Sequence, residues 1–345
     1  MTMENPPSQS LPLDGRVAIV TGGSTGIGRA ITLHLRSLGA KLVINYFPNA
    51  NQADLLASEL NSSSHPVAIA VRADVSDPDQ VKALFDRAEQ EFNCPPHILV
   101  NCAGILDPKY PSVVNTTVED WDSTFNVNTK GAFLCCREAA DRLKRGGGGR
   151  IIMITSSLVG NLLPGYGAYA ASKAAVETMA KIVAKELKGT GITANCVAPG
   201  PVATELFYAG KTEETVKRLA DACPLGRLGE PNDVSQLVGF LAGDAGEWIN
   251  GQVIRANGGL VIYILQESRN SLDTVLIQGK IVIYTMGSWN DDKATMGSVV
   301  RNGGRVRIIV VDPNDVKSTE IYDIPPSVIT PNEAKMLQEY PISTR

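Results

Sequence analysis

The sequence predicts an α/β fold: a doubly wound parallel sheet of the Rossmann kind forming a single main domain, with a small β-rich or partly ordered extension at its C-terminal end. Three observations predict it. Short, near-continuous apolar runs alternate with stretches of helical length, the pattern of a parallel sheet covered on both faces. A glycine-rich turn, Thr21-Gly22-Gly23-Ser24-Thr25-Gly26-Ile27-Gly28, joins the first such run to the first helix. The alternation then stops at a second turn, Asn257-Gly258-Gly259.

Taken in order, Val17–Val20 reads as a buried strand and Gly26–Leu38 as the helix after it. Lys41–Asn45, Val67–Val71, Ile98–Val100, Arg150–Ile154 and Ile192–Val197 are β-type runs, and Gln252–Arg255 is the last of the series. Asp79–Glu91 and Val118–Lys144 have helical length and amphipathic spacing. Right-handed crossovers between parallel strands leave the doubly wound arrangement as the favoured one. Beyond residue 260, Lys280–Tyr284 and Arg307–Val311 read as strands, Asn302-Gly303-Gly304 as a turn, and Pro331–Tyr340 as a short helix. The expected organisation is a flexible leader (1–13), a dinucleotide-binding catalytic domain (14–260) and an extension (261–345).

A net charge of −4 and the lack of any lysine- or arginine-rich block argue against nucleic acid or an anionic membrane as a partner. No apolar run approaches a membrane span. The six cysteines form no Cys-x-x-Cys pair and the three histidines are scattered, so no metal site is expected and the thiols are read as reduced. The first fourteen residues carry no Lys or Arg, unlike a secretory or transit signal, so the expected compartment is the cytoplasm.

The chemistry is carried by Tyr169-Ala-Ala-Ser-Lys173. Tyr169 and Lys173, four residues apart, project from one face of a helix. A nearby ammonium favours phenolate, so Lys173 is expected to bring the Tyr169 pKa down toward working pH. Tyr166 lacks a lysine four residues on, because Ala170 stands there. In the glycine turn, the missing Cβ atoms let a pyrophosphate approach a helix N-terminus.

Gly-x-x-x-Gly-x-Gly (22–28) joined to Tyr-x-x-x-Lys (169–173) resembles the short-chain dehydrogenase/reductase family over residues 14–260. Asp74-Val75, Asn101-Cys102-Ala103-Gly104 and Pro199-Gly200 with Thr204 resemble further motifs of it, Cys102 standing where an asparagine is usual. Within the family, residues 191–205 are similar to plant NADPH-dependent aldehyde reductase-like members. The resemblance implies reduction of aldehydes or ketones, or oxidation of alcohols, by a tetrad. Tyr169 would donate the proton, Lys173 would assist it and bind the nicotinamide ribose, and Ser156 would hold the substrate oxygen. Asn128 would hold a water relaying protons to Lys173. Adjacent Ser157 is the alternative to Ser156, which is favoured by its count along the strand. Cofactor contacts are implied for Gly22, Ser24, Gly26, Ile27, Gly28, Asn45, Tyr46, Asp74 and Val75. The same holds for Asn101, Ala103, Gly104, Tyr169, Lys173, Pro199, Gly200, Val202 and Thr204. A small-molecule carbonyl substrate and a homo-oligomer, perturbed by the extension, are the implied partners.

Cofactor choice is read at the end of the second strand. NAD enzymes place a carboxylate there, but here the position is Tyr46, which favours NADP(H) over NAD(H). Thr25 fills one usual basic position, so Asn45, Tyr46 and Asn49 are expected to donate hydrogen bonds to the phosphate. Substrate selectivity is expected from Leu158–Gly165 and Pro201–Lys217, where Leu206, Phe207 and Tyr208 are either pocket surface or a helix face packed on the core. The extension resembles a fragment of the protease-associated domain of plant subtilisin-like proteases, through 276–283, 300–304, Ile324-Pro325 and Tyr340. With no histidine after His97, a Ser/His/Asp peptidase is excluded. Two rival readings are a dinucleotide-binding regulatory protein of low turnover and an interaction protein working through the extension.

Overall fold

Period-two alternation sorts the strand side chains onto the two faces of the sheet. On β1 (Val17–Thr21), Val17 and Ile19 join one buried cluster while Ala18 and Val20 join the other. In the computed structural model the described residues are 10–48, 50–61 and 66–261, with the backbone of 285–286, 295–302, 305–312 and 315–324. The chain divides into two units, Met1–Tyr263 and Ile264–Arg345.

In the first unit β1 is followed by α1 (Gly26–Ser37), β2 (Lys41–Tyr46), α2 (Asn51–Leu60), β3 (Ala68–Arg72) and α3 (Pro78–Phe92). Next come β4 (Ile98–Asn101), α4 (Val118–Phe125), α5 (Gly131–Arg142), β5 (Gly149–Ile154), α6 (Leu158–Asn161) and α7 (Gly167–Glu186). The unit closes with β6 (Ile192–Pro199), α8 (Glu205–Tyr208), α9 (Glu213–Asp221), α10 (Pro231–Ala242) and β7 (Val253–Ala256). The strands form a seven-stranded sheet in the order β3-β2-β1-β4-β5-β6-β7, with every pair parallel. The chain reverses direction across the sheet between β1 and β4, which opens a crevice at their carboxyl ends. Ile31 and Leu35 of α1 with Val234, Val238 and Leu241 of α10 cover one face. Leu84 and Phe85 of α3, Cys135 and Ala139 of α5, and Val176 and Ala180 of α7 cover the other.

The helix starts follow from local chemistry. Asp77 caps α3 by accepting from the N–H groups of Asp79 and Gln80, and Pro78 occupies the first turn, where its missing N–H is harmless. Glu230 and Asp233 form a reciprocal capping box on α10. α1 differs: Thr25 makes no side-chain cap and its first turn holds no acid, so its N–H groups face the crevice unneutralised by the chain itself.

One expected element is divided. Val118–Lys144 is not a single helix, because a π-helical turn, Asn126–Lys130, separates α4 from α5. A Cβ on Gly131 would stand 2.8 Å from the Val75 side chain, so α5 starts in close contact with the segment after β3. The widened turn carries Asn128 into the interior. Leu13, assigned to the leader from sequence, is fully buried, and its N–H is bonded to the Leu38 carbonyl.

The second unit contains an antiparallel sheet of β8 (Thr285–Met286), β9 (Thr295–Asn302), β10 (Arg305–Asp312) and β11 (Asp315–Ile324), in the order β11-β10-β9-β8. Ile308 is paired with Val299 on one side and Tyr322 on the other. The expected strand Lys280–Tyr284 and helix Pro331–Tyr340 lie outside the described residues, as do Asn49, Gly303 and Gly304.

Candidate active site

Buried hydrogen bonds stitch together the carboxyl ends of β1, β2 and β4. Thr21 Oγ1 donates to Asn101 Oδ1 at 3.1 Å and accepts from the N–H groups of Cys102 and Ala103, each at 3.0 Å. Gly22, in the left-handed region at φ +60°, lies against Ala103, where a Cβ would sit 3.1 Å from its Cα. A Cβ on Gly28 would lie 2.0 Å from the Gly22 carbonyl oxygen. Side chains are therefore excluded from a cradle at the N-terminus of α1, and such a cradle fits the pyrophosphate of a dinucleotide.

α7 brings Tyr169 and Lys173 beneath that cradle, beside the end of β5. Lys173 is buried, donates to the Ile154 carbonyl at 2.9 Å, and holds its Nζ 5.8 Å from the Tyr169 ring centroid. Burial lowers its pKa. Tyr169 does not follow expectation. Its pKa is pushed up to about 12, first by burial and then by the nearby Cys102 thiol, with the Ser156 hydroxyl alone opposing the rise. The expected lowering by Lys173 is absent, and desolvation of the phenolate dominates.

Asn128 is fixed on three sides. Its Oδ1 accepts from Ile105 N–H at 2.8 Å, and its Nδ2 donates to the Ile105 carbonyl at 3.0 Å and to Ser172 Oγ at 3.1 Å. It faces Lys173 across Gly104, where a Cβ would lie 3.2 Å from Asn128 Oδ1 and 3.3 Å from Lys173 Nζ. Ser157 donates to the Ala198 carbonyl at 2.9 Å and accepts from Asn257 Nδ2 at 3.0 Å, so its hydroxyl ties β6 to the chain after β7. Ser156 Oγ accepts from the Leu158 N–H at 3.2 Å, which leaves its proton for Tyr169 or a substrate.

A cavity of about 410 Å³ unites these groups. Gly22, Gly26, Ile27, Gly28, Ala103 and Gly104 line one end, and Ser156, Tyr169 and Lys173 its floor. Pro199, Gly200, Val202 and Thr204 line the side below β6. Thr204 also caps α8, accepting from the Phe207 N–H at 3.2 Å, with its methyl against Gly26. Asn128 stands behind the floor. Ser24, Asn45, Tyr46, Asp74, Val75 and Asn101 are not among the lining residues.

Asn45 requires a correction. It is buried, and its amide donates to the Val71 and Ala73 carbonyls at 3.4 and 2.9 Å while its oxygen accepts from the Gly22 N–H at 3.4 Å. Its donors are used in holding β2, β3 and the glycine turn together, so it shapes the cradle instead of meeting a phosphate. Sequence reasoning missed the basic group nearby. Arg72, paired in register with Tyr46, lies exposed with its guanidinium 5.0 Å from the Phe47 ring centroid. Strand register between β2 and β3 was the signal that would have found it.

The opposite wall resolves the two readings of Leu206–Tyr208. Leu206 and Phe207 line the cavity, whereas Tyr208 does not and is exposed. Lys211 and Tyr166 line the cavity beside them, with Tyr110, which sequence reasoning did not single out, packed behind. Lys211 Nζ donates to the Phe207 carbonyl at 2.6 Å and to Tyr110 Oη. Tyr110 Oη donates to the Ala209 carbonyl at 2.6 Å, and its ring lies 5.0 Å from that of Tyr166.

A family model described as Enoyl-(Acyl carrier protein) reductase matches residues 22–261. An Arabidopsis thaliana protein named NADPH-dependent aldehyde reductase-like protein, chloroplastic, is 65% identical over 259 residues, covering 73% of this chain and 96% of its own length. The chain belongs to the short-chain dehydrogenase/reductase family. It is an oxidoreductase by that membership. NADPH-dependent aldehyde reductase 2, chloroplastic, from the same plant is 55% identical over 264 residues, covering 74% of this chain and 97% of the relative. A crystal structure of a short-chain dehydrogenase from Burkholderia cenocepacia J2315 in complex with NADP superposes with a TM-score of 0.67 at 35% identity, covering 72% of this chain and 99% of that one.

Two expectations change here. The cytoplasmic compartment is overturned by the two chloroplastic relatives, whose names point to the plastid. The cytoplasmic expectation rests on the lack of basic residues in the first fourteen positions, which does not decide the compartment. The likeness of 261–345 to a protease-associated domain gains no support, since the family match ends at residue 261.

Proposed function

We propose that this protein is a plastid NADPH-dependent reductase of aldehydes or ketones. The observation that carries the reading is the convergence of Ser156, Tyr169 and Lys173 on the floor of the cavity that the glycine cradle opens into. NADPH, when bound, supplies the hydride. Gly22, Gly26 and Gly28 with the α1 N-terminus would hold its pyrophosphate, and Lys173 would hold the ribose beside Tyr169. The Ser156 hydroxyl orients the substrate oxygen and donates to the charge developing on it. Tyr169 gives that oxygen a proton. With its pKa raised by burial, the phenol carries that proton at neutral pH. Asn128, clamped by Ile105 and Ser172, keeps the π-helical turn aimed at Lys173 and the proton route behind it.

The test is NADPH consumption by the full chain with aldehydes, ketones and a 2-enoyl thioester, with Tyr169→Phe in parallel. Carbonyl turnover falling about a thousandfold in the variant, with NADPH still bound, is the expected result. Turnover of the enoyl thioester alone, or activity unaffected by Tyr169→Phe, would defeat the reading.

A further inference from the structure

The cavity holds a second lysine for which the reduction just described has no use. Lys211 lines the same cavity as Tyr169, and its Nζ is surrounded by rings: 4.4 Å from the Tyr110 centroid, 4.7 Å from Phe207 and 5.9 Å from Tyr166. Two of its three N–H protons go to the Phe207 carbonyl and Tyr110 Oη. Burial alone lowers its pKa, to about 8, and no charged partner among the described residues counters that loss. Glu205, the acidic side chain lining the same cavity, is exposed and makes no ion pair with it among the described residues. The neighbouring wall is apolar, with Leu158, Leu163, Leu206 and Leu219.

A half-desolvated ammonium in an apolar wall is unfavourable unless something compensates it. The aromatic faces compensate in part, since each ring presents negative potential to a cation. Tyr110 further holds the ammonium in place, because its hydroxyl is anchored on the Ala209 carbonyl. An anion entering the cavity would supply the remainder. The position also suits a substrate. Tyr166, with its ring 5.9 Å from Lys211 Nζ, lines the same cavity as Tyr169 and Lys211, so a substrate held at Tyr169 by one end shares a single chamber with the ammonium.

We propose that Lys211 is a specificity residue that binds a carboxylate carried by the carbonyl substrate at the end remote from the reacting group. The proposal rests on the carbonyl-reductase reading and narrows its substrate class to oxo acids and carboxylated aldehydes. Lys211 does no chemistry; its ammonium fixes one end of the substrate while Ser156 and Tyr169 take the other.

The experiment compares 4-carboxybenzaldehyde with 4-methylbenzaldehyde, using NADPH, in the full chain and in Lys211→Met, Lys211→Gln and Lys211→Arg. The native protein should favour the carboxylated aldehyde in kcat/KM by about tenfold or more, the worth of one charge-assisted hydrogen bond. Lys211→Met and Lys211→Gln should abolish that ratio, chiefly through KM, and Lys211→Arg should retain much of it. Two neutral variants are included so that misfolding of one leaves the ratio readable in the other. A ratio unchanged in both neutral variants, or no native preference, would overturn the proposal. Should neither aldehyde turn over while NADPH binds, the carbonyl reading fails by itself. Lys211 is then tested by calorimetric binding of 4-(hydroxymethyl)benzoate to the NADP⁺-loaded protein, where weaker binding by the neutral variants supports the anion site and equal binding overturns it.

Discussion

On one wall of the cleft Gly22, Gly26 and Gly28 offer bare backbone, held by buried bonds from Thr21, Asn45 and Asn101. The other wall is made of side chains, Leu206, Phe207 and Lys211, carried on a four-residue helix and the segment after it. The first wall has little freedom to vary, because a dinucleotide pyrophosphate is met by N–H groups that every residue owns and is blocked by any Cβ. The second can change residue by residue without disturbing the sheet. Their contrast separates what makes the protein a member of its family from what chooses its substrate.

The contrast is broken most severely at Gly28. Alanine there would drive a methyl to 2.0 Å from the Gly22 carbonyl oxygen, a backbone contact that no rotamer relieves. NADPH affinity should fall about a hundredfold or more, measured by fluorescence titration. Affinity within about twofold of native would mean that the cradle yields, and that its rigidity has been overstated.

Proton chemistry gives the next effect, and its sign follows from Tyr169. A pKa raised to about 12 keeps the phenol protonated throughout the neutral range. Reduction of a neutral aldehyde should therefore stay flat with pH there, whereas alcohol oxidation, which needs the phenolate, should rise about tenfold per pH unit. A reduction rate falling through neutrality would show instead that Lys173 overrides burial once substrate and cofactor are in place.

Thr21 tests whether the backbone wall depends on its stitching. Thr21→Val keeps the shape but removes the acceptor of two N–H groups and the donor to Asn101. Leaving buried polar groups unpaired costs about 1–3 kcal/mol of stability, read by chemical denaturation. Loss of cofactor affinity should accompany it, because Ala103 sets the floor under Gly22.

Much of the first wall was legible in the sequence. β1, β4 and β5 are buried on both faces, so Val17–Val20, Ile98–Val100 and Ile151–Ile154 are unbroken apolar runs that mark the strands directly. The glycine spacing and the Tyr169–Lys173 pair each fall within a few consecutive residues, where a local pattern reads directly. The π-helical turn was illegible because nothing in the local spacing of Val118–Lys144 marks it, and the packing of Gly131 on Val75 beside it joins distant segments. Asn45 was misread for a similar reason: an amide at a strand end looks free until β3 supplies the carbonyls that occupy it. Lys211 and Tyr110 stand about a hundred residues apart and come together across the mouth of the cleft, so no local pattern joins them.

The smallest expected effect sharpens the comparison at the outer end of the backbone wall. NADPH differs from NADH by a phosphate on the adenosine ribose, and the end of β2, where a carboxylate would repel it, carries Tyr46 instead. Arg72 lies across the β2–β3 register from Tyr46, exposed and leaning on the Phe47 ring, so its charge is positioned without being buried. An exposed ion pair contributes about 1 kcal/mol or less. Arg72→Ala should thus raise the KM for NADPH only about fivefold, leave the KM for NADH unchanged, and lose its effect as salt is increased. Equal changes for both cofactors would assign Arg72 to support of Phe47 and the strand end, and preference for the phosphate would then rest on the missing carboxylate alone.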